Sequence, residues 1–238
     1  MIGIIDSGSG GLNVIRACSK YFKEDYVYIF DDLNCPYGNK QKSFIEKITK
    51  KNIEYLIKNY NLDFIILACN TASSVIDLTN INYSIPIIKT NPNLKCINSK
   101  KNVLLFATKN TIKNNKILKF YLWNYKNIKT VFIKNLPKLI DGFIDNKSNK
   151  NKNNIIKKLN HGFCNKCGLK NKYKKIKTIS LGCTHFKYIE GFLKNIFNNN
   201  ISFKFCESEV AQNACFLIRK NKRKNTIKII KTSKIFNQ

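Results

Sequence analysis

The sequence predicts an α/β protein of two similarly built α/β domains with mostly parallel sheets and an active site in the cleft between them. Three observations predict it. Short apolar runs alternate with helical patterns along the 238 residues, the order that yields parallel sheets flanked by helices. Two of these runs read as versions of each other. Asp-Phe-Ile-Ile-Leu-Ala-Cys-Asn-Thr-Ala (63–72) and Ile-Lys-Thr-Ile-Ser-Leu-Gly-Cys-Thr-His (176–185) each end an apolar strand in a cysteine and small polar residues. A third run, Ile2 to Ile5, leads into the turn Asp6-Ser7-Gly8-Ser9-Gly10-Gly11. Open α/β sheets bind ligands beyond the carboxyl ends of their strands, which is where all three segments fall.

The remaining elements follow in order. A helical pattern starts at Leu12, and Tyr26 to Phe30 is an apolar and aromatic strand. The loop Asp31 to Lys40 is rich in turn residues. A helix is expected over Gln41 to Lys58, with Ile45, Ile48, Tyr55 and Leu56 on one face. The Cys69 strand and its helix come next, then a strand over Ile85 to Lys89. Thr90-Asn91-Pro92-Asn93 reads as a turn and a crossing between domains. Val103 to Ala107 is a buried strand, with Thr108 and Thr111 at the start of a helix. Ile128 to Ile133 is a strand, and Pro137 to Ile144 a short apolar segment. Asn146 to Asn154 is polar and of low complexity, expected as a solvated loop or a frayed helix start. The Cys183 strand and its helix precede a strand over Ile201 to Phe205 and a closing helix over Glu207 to Lys220. The run Lys220 to Lys224 and the tail are expected at the periphery, where Thr226 to Ile230 can add an edge strand. One domain then comprises residues 1–91 and 206–238, the other residues 92–205.

Composition excludes several classes. Hydrophobic residues make up 43% of the chain, too many for disorder. No apolar run is long enough to span a bilayer, and Met1-Ile2-Gly3-Ile4-Ile5-Asp6 lacks the regions of a signal peptide, so a cytoplasmic protein is expected. The net charge of +29 invites a nucleic-acid reading. Yet the only arginines are Arg16, Arg219 and Arg223, whereas base readers and phosphate clamps favour the arginine fork. Abundant Lys, Asn and Ile are what an AT-rich coding sequence produces, and no specific nucleic acid is expected. Nine cysteines without an export signal point to reduced thiols. Cys18 on a helix, Cys96 in a connecting segment and Cys215 in an apolar stretch are explained by burial.

The strand-end residues carry the chemistry. The turn 6–11 is neither a P-loop nor G-x-G-x-x-G. Its glycines allow close backbone approach, and its N–H groups can meet an anion; the simpler reading is a helix cap. Asp6 heads a buried strand, where a carboxylate needs a partner. Cys69 precedes a helix, whose N-terminus favours thiolate, and Asn70 and Thr71 can donate to a carboxylate. Cys183-Thr184-His185 repeats the arrangement, with His185 able to orient a proton. Each cysteine alone reads as a small buried hydrophobe; the pair reads as two thiols flanking one carbon. Cys164-Asn165-Lys166-Cys167 has half of a zinc-site spacing, near His161. No second half follows, so no metal is expected. Two histidines exclude a His-rich site, and no G-x-S-x-G elbow supports a serine hydrolase.

Together these residues resemble the glutamate racemase family, within the aspartate/glutamate racemase superfamily. The likeness rests on Ile4 to Leu12, Pro36-Tyr37-Gly38, Ala68-Cys69-Asn70-Thr71-Ala72, Leu181-Gly182-Cys183-Thr184-His185, and Thr108 with Thr111. It implies cofactor-free interconversion of L- and D-glutamate, with Cys69 and Cys183 as the acid/base thiols and Asp6 and His185 assisting them, Asp6 beside Cys69 and His185 beside Cys183. By the same resemblance, Ser7, Tyr37, Gly38, Asn39, Asn70, Thr71, Thr108, Thr111 and Thr184 are expected to contact the substrate. It implies a glutamate substrate, no membrane partner, room for a homodimer, and D-glutamate destined for peptidoglycan. Asn39 stands where the family has Ser or Thr, Ala107 replaces a Gly, Phe186-Lys187 replaces Tyr-Pro, and Glu207-Ser208 replaces Asp-Ser. The family's acidic residue after a Pro-containing apolar segment has two candidates, Asp141 and Asp145. The alternatives are an aspartate or related amino-acid racemase, and a non-catalytic basic protein that binds anions or nucleic acid.

Overall fold

The computed structural model describes residues 1–79, 81–95, 102–146, 148–162, 175–197, 201–218 and 225–236. Two parallel sheets organise them. The first runs β4-β3-β1-β2-β9, from β1 (Ile2–Asp6), β2 (Tyr26–Phe30), β3 (Phe64–Leu67), β4 (Ile87–Lys89) and β9 (Ile227–Lys231). The second runs β6-β5-β7-β8, from β5 (Val103–Ala107), β6 (Ile128–Val131), β7 (Thr178–Gly182) and β8 (Ser202–Phe205). The central strands β1, β3, β5 and β7 are buried along their whole length. Strands covered on both faces read as unbroken apolar runs for this reason.

Each sheet has a core on either side. On the first, helix α1 (Gly11–Cys18) and helix Cys206–Ala214 bury Val14, Ile15, Val210 and Ala211 against Ile2, Ile4, Tyr28 and Ile66. The opposite face packs Ile53 and Leu56 of helix α2 (Lys42–Asn59) against Ile5, Val27, Ile65 and Leu67. Burying one such side chain contributes about 1.5–3 kcal/mol. On the second sheet, Leu104, Phe106, Ile179 and Leu181 pack with Leu136, Ile140, Ile155 and Leu159, and Val103 and Leu105 pack with Leu118 on the other face. Phe106 stacks on Phe186 at 4.2 Å between ring centroids.

Several boundaries differ from the expectations. The segment over Pro137 to Ile144 is part of a helix, Leu136–Asn146, and the polar stretch after it enters another, Asn149–Gly162. A six-residue 3-10 helix, Thr184–Ile189, precedes the α-helix Glu190–Phe197 after Cys183. The closing helix ends at Ala214, followed by a 3-10 turn, Cys215–Leu217. Cys215 is exposed rather than buried, because it lies on the outer side of that turn. The edge strand of the tail forms beside β2 in parallel register. Cys96, Cys164, Cys167, Arg219 and the run 220–224 lie outside the described residues. Among those described, no helix is long and apolar enough to cross a membrane.

Candidate active site

Strand register brings the singled-out residues to one level. Ile5 pairs with Leu67, and Ala68 N donates to Ile5 O at 2.8 Å, so Asp6 and Cys69 leave the first sheet side by side. Ala107 pairs with Gly182, so Thr108 and Cys183 leave the second sheet side by side. The two carboxyl edges face each other and are joined by hydrogen bonds. Thr184 Oγ1 donates to Asp6 Oδ2 at 2.9 Å, Asn13 Nδ2 donates to Thr184 O at 2.9 Å, and Ser9 N and Oγ donate to Asp141 Oδ1 at 3.1 and 2.5 Å. Glycine is required in the turn that makes this approach: a Cβ on Gly8 would run into His185 Nε2 and Asp141 Oδ2, and one on Gly10 into Thr184 Oγ1.

The two thiols have different surroundings. Cys69 caps helix Asn70–Val75, is 6% exposed, and lies 3.4 Å from Ser7 Oγ. Burial, then the Asp6 charge, push its thiol up to about 12, against the opposing pull of Ser7 and the Ala72 N–H. The helix N-terminus, expected to favour thiolate, is outweighed by loss of solvent. Cys183 is 7% exposed, with its Sγ 3.7 Å from His185 Nδ1. His185 Nε2 lies 3.2 Å from Asp141 Oδ2. Burial disfavours charge on His185, but Asp141 and then Cys183 more than reverse it and hold the imidazole well above its usual value. Asp141 moves the other way, to about 2: its burial is overcome by His185 and the two Ser9 donors.

Asp6 is fully buried and raised to about 6, first by desolvation, with His185 and the Thr184 hydroxyl opposing. It hydrogen-bonds Gly8 N and Thr184 rather than Cys69, and reaches that thiol through charge alone. Ser7 is the direct partner of Cys69.

A hydroxyl cluster closes another wall. Thr71 Oγ1 lies 2.8 Å from Thr108 Oγ1, which lies 2.9 Å from Thr111 Oγ1. Gly38 packs against Thr108, and a Cβ there would sit 3.2 Å from Thr108 Cβ. Tyr37 is buried and donates to Asp31, which also accepts from Thr232 Oγ1 at 2.6 Å. Asn70 Nδ2 reaches Cys206 Sγ at 3.1 Å, while its buried Oδ1 has no protein partner among the described residues. Asn39 stands apart: it is exposed and donates to Asn135 Oδ1 at 2.8 Å.

Between the two acidic candidates, Asp141 reaches His185 and Ser9, whereas Asp145 is exposed one turn later on the helix. Ser9, Asn13, Asp31 and Cys35 were not singled out by the sequence. Ser9, Asn13 and Cys35 act through partners more than a hundred residues away in the chain, and only proximity to Asp6 and Tyr37 marked them.

No family model matches the chain. It is 32% identical over 208 residues to a glutamate racemase of Clostridium novyi strain NT, covering 84% of this chain and 76% of that one. A glutamate racemase of Clostridium botulinum strain Loch Maree is 34% identical over 206 residues, covering 83% and 76%. Among solved structures, glutamate racemase isoform RacE1 of Bacillus anthracis superposes with a TM-score of 0.77 at 22% identity, covering 97% of this chain and 87% of that one. The Escherichia coli glutamate racemase in complex with L-glutamate and the activator UDP-MurNAc-ala gives 0.74 at 22% identity, covering 94% and 84%. The Francisella tularensis glutamate racemase in complex with D-glutamate gives 0.74 at 22% identity, covering 97% and 87%. The structural likenesses carry the two-sheet fold and the sequence relatives the family: the chain belongs to the glutamate racemases.

Proposed function

We propose that this protein interconverts L- and D-glutamate without a cofactor, by a two-thiol acid/base mechanism, and supplies D-glutamate for peptidoglycan. The observation that supports the reading is the placement of Cys69 and Cys183, both buried and each beside a polar partner, at the facing carboxyl edges of the two parallel sheets.

The chemistry follows from the asymmetry of the two thiols. A two-base racemase needs one thiolate and one thiol at the same moment. His185, held as imidazolium by Asp141, gives a sulfur anion on Cys183 a charged donor. Cys69, beside the Asp6 carboxyl and out of solvent, stays S–H at neutral pH. In one direction Cys183 S⁻ takes the α-proton. The electron pair spreads from the α-carbon into the substrate carboxylate, and Cys69 S–H delivers its proton to the opposite face. The thiols exchange protonation states, and the reverse reaction restores them. Ser7, Tyr37, Gly38, Asn70, Thr71, Thr108, Thr111 and Thr184 hold the substrate's charged groups. Burial of these side chains away from water strengthens such contacts. Asn39 supports the loop from outside by its link to Asn135.

Circular dichroism on L- and D-glutamate, with both thiols reduced, tests the activity: equal end points from either enantiomer are expected, and no turnover in either direction overturns it. In deuterated water the inverted product carries deuterium at the α-carbon. Normal racemisation by Cys69→Ser or Cys183→Ser protein rules out the two-thiol route. Parallel assays on D- and L-aspartate separate glutamate from the alternative substrate.

A further inference from the structure

Asp141 Oδ1 is occupied by the two donors of Ser9, which leaves Oδ2 to hold His185. A second group shares that oxygen. Cys35 Sγ, from the loop between β2 and α2, donates to Asp141 Oδ2 at 3.4 Å. We infer that Cys35 is a positioning residue for the reaction: its thiol divides Asp141 Oδ2 with His185 Nε2, and so sets how tightly the carboxylate grips the imidazole beside Cys183. The kinetic part of the inference rests on the racemase reading above; the geometric part does not.

The argument is one of competition for charge. A carboxylate oxygen that accepts two hydrogen bonds gives less to each than one that accepts a single bond. Cys35 remains an S–H donor here, because burial and the Asp141 charge both push its thiol up. Among the described residues, the other titratable groups facing the pair are Asp6, Cys183, Tyr28 and Tyr188, from β1, the position just after β7, β2 and the 3-10 helix Thr184–Ile189. They are unchanged by substitution at residue 35, so a change in His185 reports the shared oxygen. Cys35 is also less buried than Cys69 or Cys183, and its contact is with the Asp141 carboxylate rather than with either thiol.

The chain has two histidines, His161 and His185, so NMR titration of the imidazole resonances reads the pair directly, with His161→Gln assigning the signals. Cys35→Ala frees Oδ2 for His185 alone, and the His185 midpoint is expected to rise by about half a pH unit. Cys35→Ser keeps the volume and substitutes a stronger donor, and its midpoint is expected at or below that of the parent protein. Midpoints equal to the parent's in both variants overturn the inference. On the same samples, Cys35→Ala is expected to lower kcat several-fold and shift its pH profile with the NMR midpoint, with KM within about twofold; a KM effect alone at an unshifted profile also overturns it. An inactive parent protein would sink the racemase reading while leaving the titration test intact.

Discussion

Thr184 Oγ1 donates to Asp6 Oδ2 across 2.9 Å, joining the residue after the second thiol to the carboxylate at the end of the first strand. The family resemblance implies Asp6 as the helper of Cys69; the hydrogen bond ties it to the opposite half as well. Asp6 therefore acts on both halves, by a bond to Thr184 beside Cys183 and by charge on Cys69. A buried carboxyl held this way is costly to ionise.

That cost is measurable. The Asp6 carboxyl is raised from 3.8 to about 6 in the folded protein, chiefly by desolvation. An acid raised on folding binds its proton more tightly in the native state, so stability falls as pH rises from the unfolded value through the folded one. Asp6→Asn removes this loss and is expected to be more stable than the parent at pH 7, on the order of 2–3 kcal/mol before repacking, while losing most racemase activity. Urea denaturation at pH 4 and pH 7 checks it: the gain appears at pH 7 and shrinks at pH 4. Equal stability of the two proteins at pH 7 contradicts the account.

The Asp141–His185 pair has the opposite sign at its acidic end. Asp141 is lowered to about 2, so its contribution is present above its unfolded value near 4 and is lost as pH falls toward 2. His185 is raised, so its contribution is present below about 6.5 and is lost as pH climbs through its elevated folded value. The two describe one interaction and do not add. Asp141→Asn is expected to cost on the order of 2 kcal/mol between pH 4 and 6.5 and to flatten the acid limb of the stability curve. Asp145→Asn, at an exposed position, leaves both stability and kcat within experimental scatter. A thermal melt series from pH 3 to pH 8 distinguishes the two variants, and identical curves would refute the assignment of Asp141.

Much of this architecture is legible in the chain because parallel strands buried on both faces, such as Phe64–Leu67 and Thr178–Gly182, leave continuous apolar runs. Cys69, Cys183, Asp6 and His185 are legible because strand ends carry ligand chemistry. What stayed hidden depends on pairing across the cleft. Ser9 reads as one more small residue in a glycine-rich turn until its two donors meet Asp141 from a helix of the other half. The sequence shows only a short apolar segment over Pro137 to Ile144; it folds as part of a helix carrying both Asp141 and Asp145, and only the docking of that helix selects Asp141. Cys215 is exposed despite its apolar neighbourhood, Cys-Phe-Leu-Ile, because the helix stops at Ala214 and the segment continues as a 3-10 turn at the surface.

The hydroxyl triangle of Thr71, Thr108 and Thr111 predicts a binding defect separable from chemistry. Thr111 is fully buried, and its hydroxyl lies 2.9 Å from that of Thr108, which also accepts from Thr111 N. Thr108→Val removes a hydroxyl that is within reach of both neighbours. Hydrogen bonds to a charged group are worth about 1.5–3 kcal/mol, so KM for glutamate should rise about tenfold or more, with kcat falling much less. Steady-state kinetics in both directions decide the matter. Unchanged KM and kcat would place the triangle outside the substrate's contacts.

The sharpest steric prediction concerns Gly8. Its α-carbon passes so close to the second half that a methyl group would overlap His185 Nε2 and Asp141 Oδ2 at once. Both atoms belong to a buried hydrogen-bonded pair, so neither can withdraw without leaving a charged group unpaired, a loss of several kcal/mol. The turn itself is held by the Gly8 N–H on Asp6 Oδ1 and by the Tyr28 hydroxyl on Gly8 O, and cannot swing clear without breaking those bonds. Relief must come from separating the two halves. Gly8→Ala is therefore expected to fold with both sheets intact, but with the edges apart. Racemisation would fall by orders of magnitude, and Cys69 and Cys183 would react with a small alkylating reagent faster than in the parent protein. Ser7→Ala, which removes the Cys69 partner without adding bulk, serves as the comparison: activity drops, yet the alkylation rate at Cys183 stays at the parent level. Equal alkylation of Cys183 in the Gly8→Ala and parent proteins would show that the clash is absorbed locally and that the closed approach of the halves does not depend on this glycine.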